Sequence, residues 1–368
     1  MKALIILFFL SLNVQAARSN PLDVYDKTMA IVSSKFYDQT FRGLPWKNLV
    51  REHRTMLSEK SSDLELSFVI NSILSKLNAS HTAFLMPTMQ DFWGLKSIFS
   101  GQIDGAKLFQ IGAWFTQING KWFVRNVFEG SPAGKAGLLS GDEVLEVDGI
   151  ELQPVNSFKE GKKVVLKIKR TAKGKSFEVV VHPTYNSLQR SLLEATRKSF
   201  RIIQKDNKKI AYLHLWSGTH DEFMKELKKA AREASKSTDA FILDLRDGFG
   251  GAYPEYIDPF LENFYTKPLV VLINDGVRSG KEWITYILKQ SKRANLVGTR
   301  TKGYFLAGQP FEIDSNRFLL YLAVHEDPEM PKLEHNGVRP DFEVQQTLPY
   351  LSGADAQLAF ALKFLANK

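Results

Sequence analysis

Two continuous apolar runs, residues 241–245 (FILDL) and 269–273 (LVVLI), constrain the fold of this chain most strongly. Runs of this length and composition are typical of strands that are covered on both faces. Helical and strand patterns surround them. The helical patterns lie at 188–200, 221–235 and 354–365, and a further strand pattern lies at 210–215. Strands that alternate with helices predict an α/β layer in the C-terminal half.

The first half of the chain shows two other patterns. Residues 21–84 carry two apolar stripes at helical spacing, with Trp46 between them as a packing residue. From about Gly101 the period changes to short β runs separated by Gly, Asn and Pro. These runs are 122–127, 143–147, 164–169 and 177–181. With 368 residues the chain is long enough for two or three domains, so we expect a multidomain α+β protein.

The N-terminus resembles a secretory signal. Lys2 supplies a positive start, residues 3–12 are apolar, and Val14-Gln15-Ala16 resembles a cleavage site. We therefore predict a signal peptide at 1–16, cleaved after Ala16 or Ala17. The apolar run is too short to span a bilayer. No Cys follows it, so we expect a periplasmic or secreted bacterial protein without a stable membrane anchor after cleavage.

Composition excludes several kinds of function. The chain has no Cys, which rules out disulfides, zinc–thiolate sites and thiol catalysis. The net charge is +9, but the basic residues are scattered among acids, as in 225–236 (KELKKAAREASK). Such a segment is typical of the solvated face of an amphipathic helix. We therefore expect no nucleic-acid partner.

Ser279 lies between the apolar run 269–273 and a helical pattern formed by Glu282, Trp283 and Tyr286. A serine at this position has two interpretations. It can cap the helix, or it can be a nucleophile placed beside the free N–H groups of a helix start. The segment alone leaves both open.

Four motifs in order resemble one family. Residues 131–149 resemble the PDZ module of bacterial tail-specific proteases, and 244–251 (DLRDGFGG) resembles their D-L-R-x-N-x-G-G loop, with Gly248 at the usual Asn. Ser279 with Glu282 matches their S-x-x-E segment, and 337–341 matches G-V-x-P-D. The chain is similar to the C-terminal processing serine peptidases over nearly its whole mature length.

The resemblance implies three parts after the signal peptide. These are a helical N-terminal region (17–97), a PDZ-like β module (98–183) and an α/β peptidase domain of ClpP/crotonase-like fold (184–368). Many members of the family use a Ser–Lys pair, with the lysine after a V-G-E-x-T stretch. Here Tyr304 occupies that position, and Lys302 falls two residues short of it.

The tricorn-like branch of the family instead uses an early serine and histidine and a late glutamate. By resemblance, Ser279 is the nucleophile and His81, from the N-terminal region, is the general base. Ser80 and Glu334 support the base. A histidine near its ordinary pKa suits this role at neutral pH. His335, next to Glu334, is the rival base.

Two backbone sites follow from the same resemblance. The 244–251 loop supplies half of an oxyanion hole through Gly250 and Gly251, and the N–H of Gly280 supplies the other half. In the PDZ-like part, the loop Ile111-Gly112-Ala113 is expected to bind a peptide carboxylate while the peptide adds a strand to the sheet edge.

We therefore predict an exported serine endopeptidase that acts on unfolded or C-terminally presented polypeptides without a metal or cofactor. Two alternatives remain open at this stage. One is an inactive PDZ-containing scaffold that only binds peptides. The other is a Ser–Lys peptidase that uses Lys302 or Lys281. The sequence leaves the oligomeric state open.

Overall fold

The computed structural model describes residues 19–262, 264–327 and 332–368, so the signal peptide predicted at 1–16 lies outside the described residues. Within these ranges the chain forms α-helices and short 3₁₀ turns. The helices are α1 (Pro21–Lys35), α2 (Trp46–Arg54), α3 (Asp63–Lys76), α4 (Gln90–Ile98), α5 (Pro132–Lys135), α6 (Leu188–Ser199), α7 (Asp221–Ser237), α8 (Asp258–Leu261), α9 (Gly280–Gln290) and α10 (Ala356–Ala366). No helix in the described ranges is long and apolar enough to cross a membrane.

The strands form four sheets. They are β1 (Ala83–Leu85), β2 (Lys107–Gln110), β3 (Ala113–Ile118), β4 (Lys121–Val127), β5 (Glu143–Val147), β6 (Val164–Lys169), β7 (Phe177–Val181), β8 (Thr184–Ser187), β9 (Arg201–Lys205), β10 (Lys208–His214), β11 (Ala240–Asp244), β12 (Leu269–Ile273), β13 (Asn295–Gly298), β14 (Ala307–Ile313), β15 (Phe318–His325) and β16 (Phe342–Glu343). The sheet orders are β16-β13-β12-β11-β10-β9, β3-β4-β5-β6-β7, β1-β15-β14 and β2-β8.

The six-stranded sheet is the centre of the C-terminal half. Its strands run parallel except for β9, which pairs antiparallel with β10 at one edge. Every residue of β11 and β12 is buried. Leu243 and Val271 pack into the apolar cluster on one face, whereas Val270 packs with α10 on the other. The predicted α/β layer, with strands covered on both faces, is confirmed.

The parallel register brings several loops to one edge of this sheet. His214 pairs with Asp244, and Asp244 pairs with Leu272, so β10, β11 and β12 end at the same level. Ligand sites in α/β sheets form at the carboxyl ends of such strands. The turn before α9 and the loop after β11 therefore emerge side by side.

The five-stranded antiparallel sheet has an apolar core of its own, which includes Val124, Val144 and Leu166. Strands β5, β6 and β7 have the bounds that the sequence predicts, and β4 begins one residue earlier than expected. Alternating burial in β6 reflects a sheet with one face on the core. This part of the chain is the predicted PDZ-like module.

The N-terminal helices pack on the three-stranded sheet. α3 begins with a capping box in which Ser62 and Glu65 satisfy each other's backbone N–H groups. β14 and β15, from the C-terminal half, share one apolar core with α1 and α3. β1 pairs with β15 in register Phe84↔Leu320. This pairing carries the residues just before β1, including His81, to the C-terminal half of the chain.

Candidate active site

A cavity of about 610 Å³ lies at the carboxyl edge of the six-stranded sheet. Its walls come from the loops after β10, β11 and β12, from α4, and from the sheet that contains β1. Predicted site residues line it. They are Ser80, His81, Gly250, Gly251 and Ser279. The structure thus brings residues from both halves of the chain to one cavity.

Ser279 occupies a strained turn between β12 and α9. Its φ of 54° and ψ of −134° are rare for a residue with a side chain, and such strain is typical of active sites. The Glu282 carboxylate accepts from the Ser279 N–H at 3.2 Å, as in a capping box. The Glu282 N–H donates to the Ser279 carbonyl at 2.7 Å. Ser279 also lines the cavity.

Glu282 fixes the turn that contains Ser279 to the segment that follows β13. Its buried carboxylate accepts from the Thr301 hydroxyl at 2.6 Å and from the N–H groups of Gly303 and Tyr304 at 2.6 and 2.8 Å. The Ser279 N–H donates to the Tyr304 carbonyl at 2.8 Å. Burial raises the pKa of Glu282, and these hydrogen bonds oppose that rise. The S-x-x-E spacing therefore positions Ser279.

A chain of hydrogen bonds joins His81, Ser80 and Glu334. The Ser80 hydroxyl lies 2.9 Å from His81 Nδ1 and donates to Glu334 Oε2 at 3.0 Å. The Ser80 N–H also donates to Glu334 Oε1 at 2.8 Å. A hydroxyl has one proton, so when it donates to the carboxylate it can only accept from Nδ1–H. His81 Nε2 is then the unprotonated nitrogen.

The surroundings of His81 keep it neutral. Only 8% of the residue is exposed, and its φ is 53°. Burial and the positive charge of Arg278 lower the pKa of His81 to about 4, while Glu334 opposes them. The ring also packs against Tyr321 and Tyr304, at centroid distances of 5.3 and 6.0 Å. His81 is therefore unprotonated at neutral pH, but its pKa lies below the ordinary value that the sequence leads us to expect.

Glu334 also binds the segment between β13 and β14. Its Oε2 accepts from the Phe305 N–H at 2.7 Å. Its neighbour His335 is turned away, with Nε2 3.0 Å from the Asn78 carbonyl, and does not line the cavity. His335 is thus poorly placed for the role of base.

The glycine loop after β11 packs directly on the turn that contains Ser279. A Cβ on Gly250 would lie 2.7 Å from both the Arg278 carbonyl and Ser279 Cβ, so only glycine fits without a shift. The N–H groups of Gly250, Gly251 and Gly280 have no acceptor among the described residues. Free donors of this kind can stabilise a developing oxyanion.

The structure explains why residue 248 is glycine rather than the usual Asn. Its φ is +70°, and a Cβ there would lie 1.8 Å from the Trp216 carbonyl oxygen. The loop therefore approaches the end of β10 too closely for any side chain. The adjacent Phe249 N–H donates to the same Trp216 carbonyl at 2.9 Å.

The two alternative lysines lie outside the cavity that Ser279 and His81 line. Lys281 is fully buried, and its ammonium donates to the carbonyls of Leu215 and Asp247 at 3.0 and 2.7 Å. Burial lowers the pKa of Lys281 to about 7. Lys302 is exposed, lies over the Tyr304 ring and lines a different cavity.

The expected peptide-binding loop of the PDZ-like module borders a space of only about 20 Å³. Ile111 is buried, and Gly112 has a φ of +72°. Gln90 of α4 lies along the free edge of β3: its Nε2 donates to the Ala113 carbonyl at 3.1 Å, and its Oε1 accepts from the Phe115 N–H at 3.2 Å. These are the bonds that an added peptide strand would make.

The sequence patterns missed three contributors to the site. Gln90 belongs to α4, whose helical pattern was not recognised. Arg125 of β4 binds Asp247 at 2.7 Å, which joins the PDZ-like module to the glycine loop. Arg278, beside Ser279, lines the catalytic cavity. Only Arg278 carried a sequence signal, namely its position next to the nucleophile.

Comparisons with known proteins agree with this architecture. The sequence profile of peptidase family S41 matches residues 259–344, and that of the PDZ domain matches 110–181. A carboxyl-terminal-processing protease of Synechocystis sp. is 26% identical over 92% of this chain and 85% of its own length. The chloroplastic carboxyl-terminal-processing peptidase 2 of Arabidopsis thaliana is 25% identical over 86% of this chain and 68% of its own length.

Solved structures show the same fold. The photosystem II D1 C-terminal processing protease aligns with a TM-score of 0.56 at 20% identity, over 92% of this chain and 99% of that one. The tricorn protease aligns with a TM-score of 0.57 at 16% identity, over 95% of this chain and 36% of that one. Part of the chain thus matches serine peptidase family S41 and another part matches the PDZ domain, and the predicted resemblance to the C-terminal processing peptidases is confirmed.

Proposed function

We propose that this chain is an endopeptidase in which Ser279 is the nucleophile and His81 the general base. The observation that supports this assignment is the hydrogen-bonded chain from Glu334 through Ser80 to His81 Nδ1. It orients the ring and leaves Nε2 as the acceptor, in a cavity that Ser279 also lines. A base held by a third polar group is the general requirement for an activated serine.

The reaction proceeds through an acyl-enzyme. Ser279 Oγ attacks the peptide carbonyl carbon while its proton passes to His81 Nε2. The N–H groups of Gly250, Gly251 and Gly280 bind the oxyanion. The C–N bond breaks, and His81 returns the proton to the leaving amine. Water, deprotonated by His81, then releases the acid and restores Ser279.

The substrates are extended polypeptides. Relatives are named for carboxyl-terminal processing, and the wall of the cavity is lined by apolar side chains that include Leu95, Ile98 and Phe99. These features support cleavage of unfolded or C-terminally presented chains beside apolar residues. The PDZ domain, with Ile111, Gly112 and Ala113, presents the peptide.

We also propose that residues 1–16 direct export to the periplasm or medium. N-terminal sequencing of the mature protein tests this proposal.

The decisive experiment compares Ser279→Ala, His81→Ala and Lys302→Met with the unchanged enzyme on an unfolded protein. We expect a loss on the order of 10⁴–10⁶ in rate for the first two variants, as for other serine-base pairs, and near-normal activity for Lys302→Met. Equal behaviour of all four proteins would support the scaffold alternative. Loss in Lys302→Met with full activity in His81→Ala would support a Ser–Lys pair.

The role of the PDZ edge is tested through Gln90. Gln90→Ala removes both hydrogen bonds to β3, so a peptide no longer competes with α4 for that edge. Each such bond contributes about 1 kcal/mol, and we expect the affinity for an apolar-tailed peptide to rise several-fold. Peptide binding measured by fluorescence anisotropy gives the answer. An unchanged affinity would mean that peptides do not use this edge.

A further inference from the structure

Arg278 lies at the junction of two cavities. One is the catalytic cavity with Ser279 and His81. The other, of about 1120 Å³, follows β3 of the PDZ domain through Trp114, Phe115 and Thr116. Both are lined by Asp91, Arg278 and Tyr304. A polypeptide that reaches the nucleophile from the PDZ domain therefore passes the Arg278 side chain.

The charge of Arg278 has no partner within the described parts of the chain. The guanidinium forms no ion pair or hydrogen bond there, and its nearest aromatic contact is the Phe249 ring at 5.8 Å. Other arginines near the site differ: Arg125 binds Asp247, and Arg246 binds Asp244 and Asp355. A partly buried cation without a counter-ion is costly to maintain, which points to an anionic ligand.

Arg278 is the main source of positive charge in the catalytic cavity. Among the described residues that line it, Arg278 is the only Lys or Arg. His81 is neutral, since burial and Arg278 lower its pKa to about 4. A guanidinium binds a carboxylate through two parallel N–H bonds, more specifically than a single point charge. The cavity therefore combines apolar walls with one guanidinium, and the carboxyl groups of Asp91 and Asp221 also line it.

We propose that Arg278 binds a carboxylate of the substrate peptide close to the scissile bond and so determines specificity. The carboxylate is either an Asp or Glu side chain or the α-carboxylate of a chain end. This inference rests on the proposed function of the same cavity. It adds a preference that neither the nucleophile nor the base provides, because those groups act on the peptide bond itself.

The test uses four peptides that share one apolar core. Two differ only in Glu or Gln beside the cleaved residue, and two differ only in a free or amidated C-terminus. Binding to the Ser279→Ala protein is measured by anisotropy, and kcat/KM is measured with the active enzyme. The variants are Arg278→Gln and Arg278→Glu. Arg300→Gln is the matched control, because Arg300 is exposed and lines neither cavity.

The expected result is a preference for the acidic member of at least one pair. Hydrogen bonds to charged groups are stronger than those between neutral groups, so the preference should be about tenfold or more. It should disappear in Arg278→Gln, reverse in Arg278→Glu and persist in Arg300→Gln. The pair that shows it identifies the side chain or the chain end as the source of the carboxylate.

Equal acid-to-amide ratios in the unchanged protein and Arg278→Gln would overturn the proposal, even if both cleave peptides. The acid-to-amide ratio is compared because a general loss of peptide positioning lowers the affinity and kcat/KM of both members of a pair by the same factor. Absence of cleavage by the unchanged enzyme would contradict the proposed function instead. The anisotropy ratios in the Ser279→Ala background would still decide the role of Arg278 in that case.

Discussion

The two halves of the catalytic cavity are built in different ways. The half that holds Ser279, the proposed nucleophile, is built mainly from one stretch of chain: β12, one turn and α9 carry Ser279, and Glu282, three residues later, bonds to the turn. The base's half is assembled from distant segments, because Ser80 and Glu334 lie 254 residues apart. A local site can be recognised as a motif, whereas a distributed site exists only in the folded chain. The distributed half should therefore be more sensitive to substitution at its supporting residues.

Glu334→Gln should break the base's half with the largest effect. The two carboxylate oxygens accept from the Ser80 hydroxyl, from the Ser80 N–H and from the Phe305 N–H. An amide NH₂ would face one of these donors, and the orientation of His81 would be lost. We expect kcat/KM to fall by up to about 10⁴-fold, as when the acid of a catalytic triad is neutralised.

Glu326→Gln is the matched control, because Glu326 is an exposed acid on the segment that follows β15. Steady-state kinetics on one peptide give both values. If Glu334→Gln kept the activity of Glu326→Gln, the hydrogen-bonded chain would not serve catalysis.

Gly250→Ala should break the nucleophile's half. The new Cβ would lie 2.7 Å from Ser279 Cβ and from the Arg278 carbonyl, so the loop and the turn must move apart. We expect a loss of about 10²–10³ in kcat, comparable to the loss of one oxyanion donor. Gly134→Ala in α5 is the control, since its Cβ would meet no atom closer than 3.4 Å. Equal kcat for the two variants would contradict this role of the loop.

The pH profile of Arg278→Gln tests how the two halves of the cavity interact, because Arg278, next to Ser279, lowers the pKa of His81. As pH falls through the pKa of His81, about 4, the base becomes protonated and kcat/KM declines. Burial is the main cause of that low pKa, and Arg278 adds to it. Removing the positive charge should raise the pKa toward the ordinary value.

The acid limb of kcat/KM should therefore move to higher pH in Arg278→Gln and stay in place in Arg300→Gln. Neutral peptides are used so that substrate recognition does not change with pH. If the acid limb of kcat/KM in the unchanged protein lay at the ordinary histidine pKa, burial and Arg278 would not lower the pKa of His81.

Lys281→Met should have the smallest effect, and on stability rather than chemistry. The pKa of Lys281 is lowered to about 7 in the folded protein, so between that value and its unfolded pKa the unfolded chain binds more protons. This group therefore makes the free energy of unfolding rise with pH above about 7, by at most about 1.4 kcal/mol per pH unit.

Urea denaturation from neutral pH to about pH 9 measures that slope, which is expected to be smaller in Lys281→Met. Lys302→Met, which changes an exposed lysine, is the control. Equal slopes in all three proteins would mean that Lys281 titrates normally and is accessible to water.

The sequence predicts elements whose signal lies within a few neighbouring residues. The bounds of β5, β6 and β7 follow from alternating apolar positions, and those of β12 follow from one apolar run. The motifs also led to Ser279 and His81 by resemblance. Their catalytic roles remain predictions until the variants are tested.

The parts that were missed depend on tertiary partners. β1 has only three residues and exists because it pairs with β15. α2 is a nine-residue, largely polar helix, and only Trp46 and His53 are buried in it. The contact between Gln90 and the β3 edge joins two elements that no local pattern relates. Such features follow from packing between segments, which local periodicity does not encode.

The shared core of α1, α3 and the β14–β15 hairpin has a consequence for synthesis of the protein. Domains can begin to fold while the ribosome is still adding residues. A growing chain that ends at α9 already contains His81 and Ser279, but it lacks the hairpin that supports β1 and the carboxylate of Glu334. On the proposed mechanism, the site is therefore complete only after Glu334 has been added to the chain.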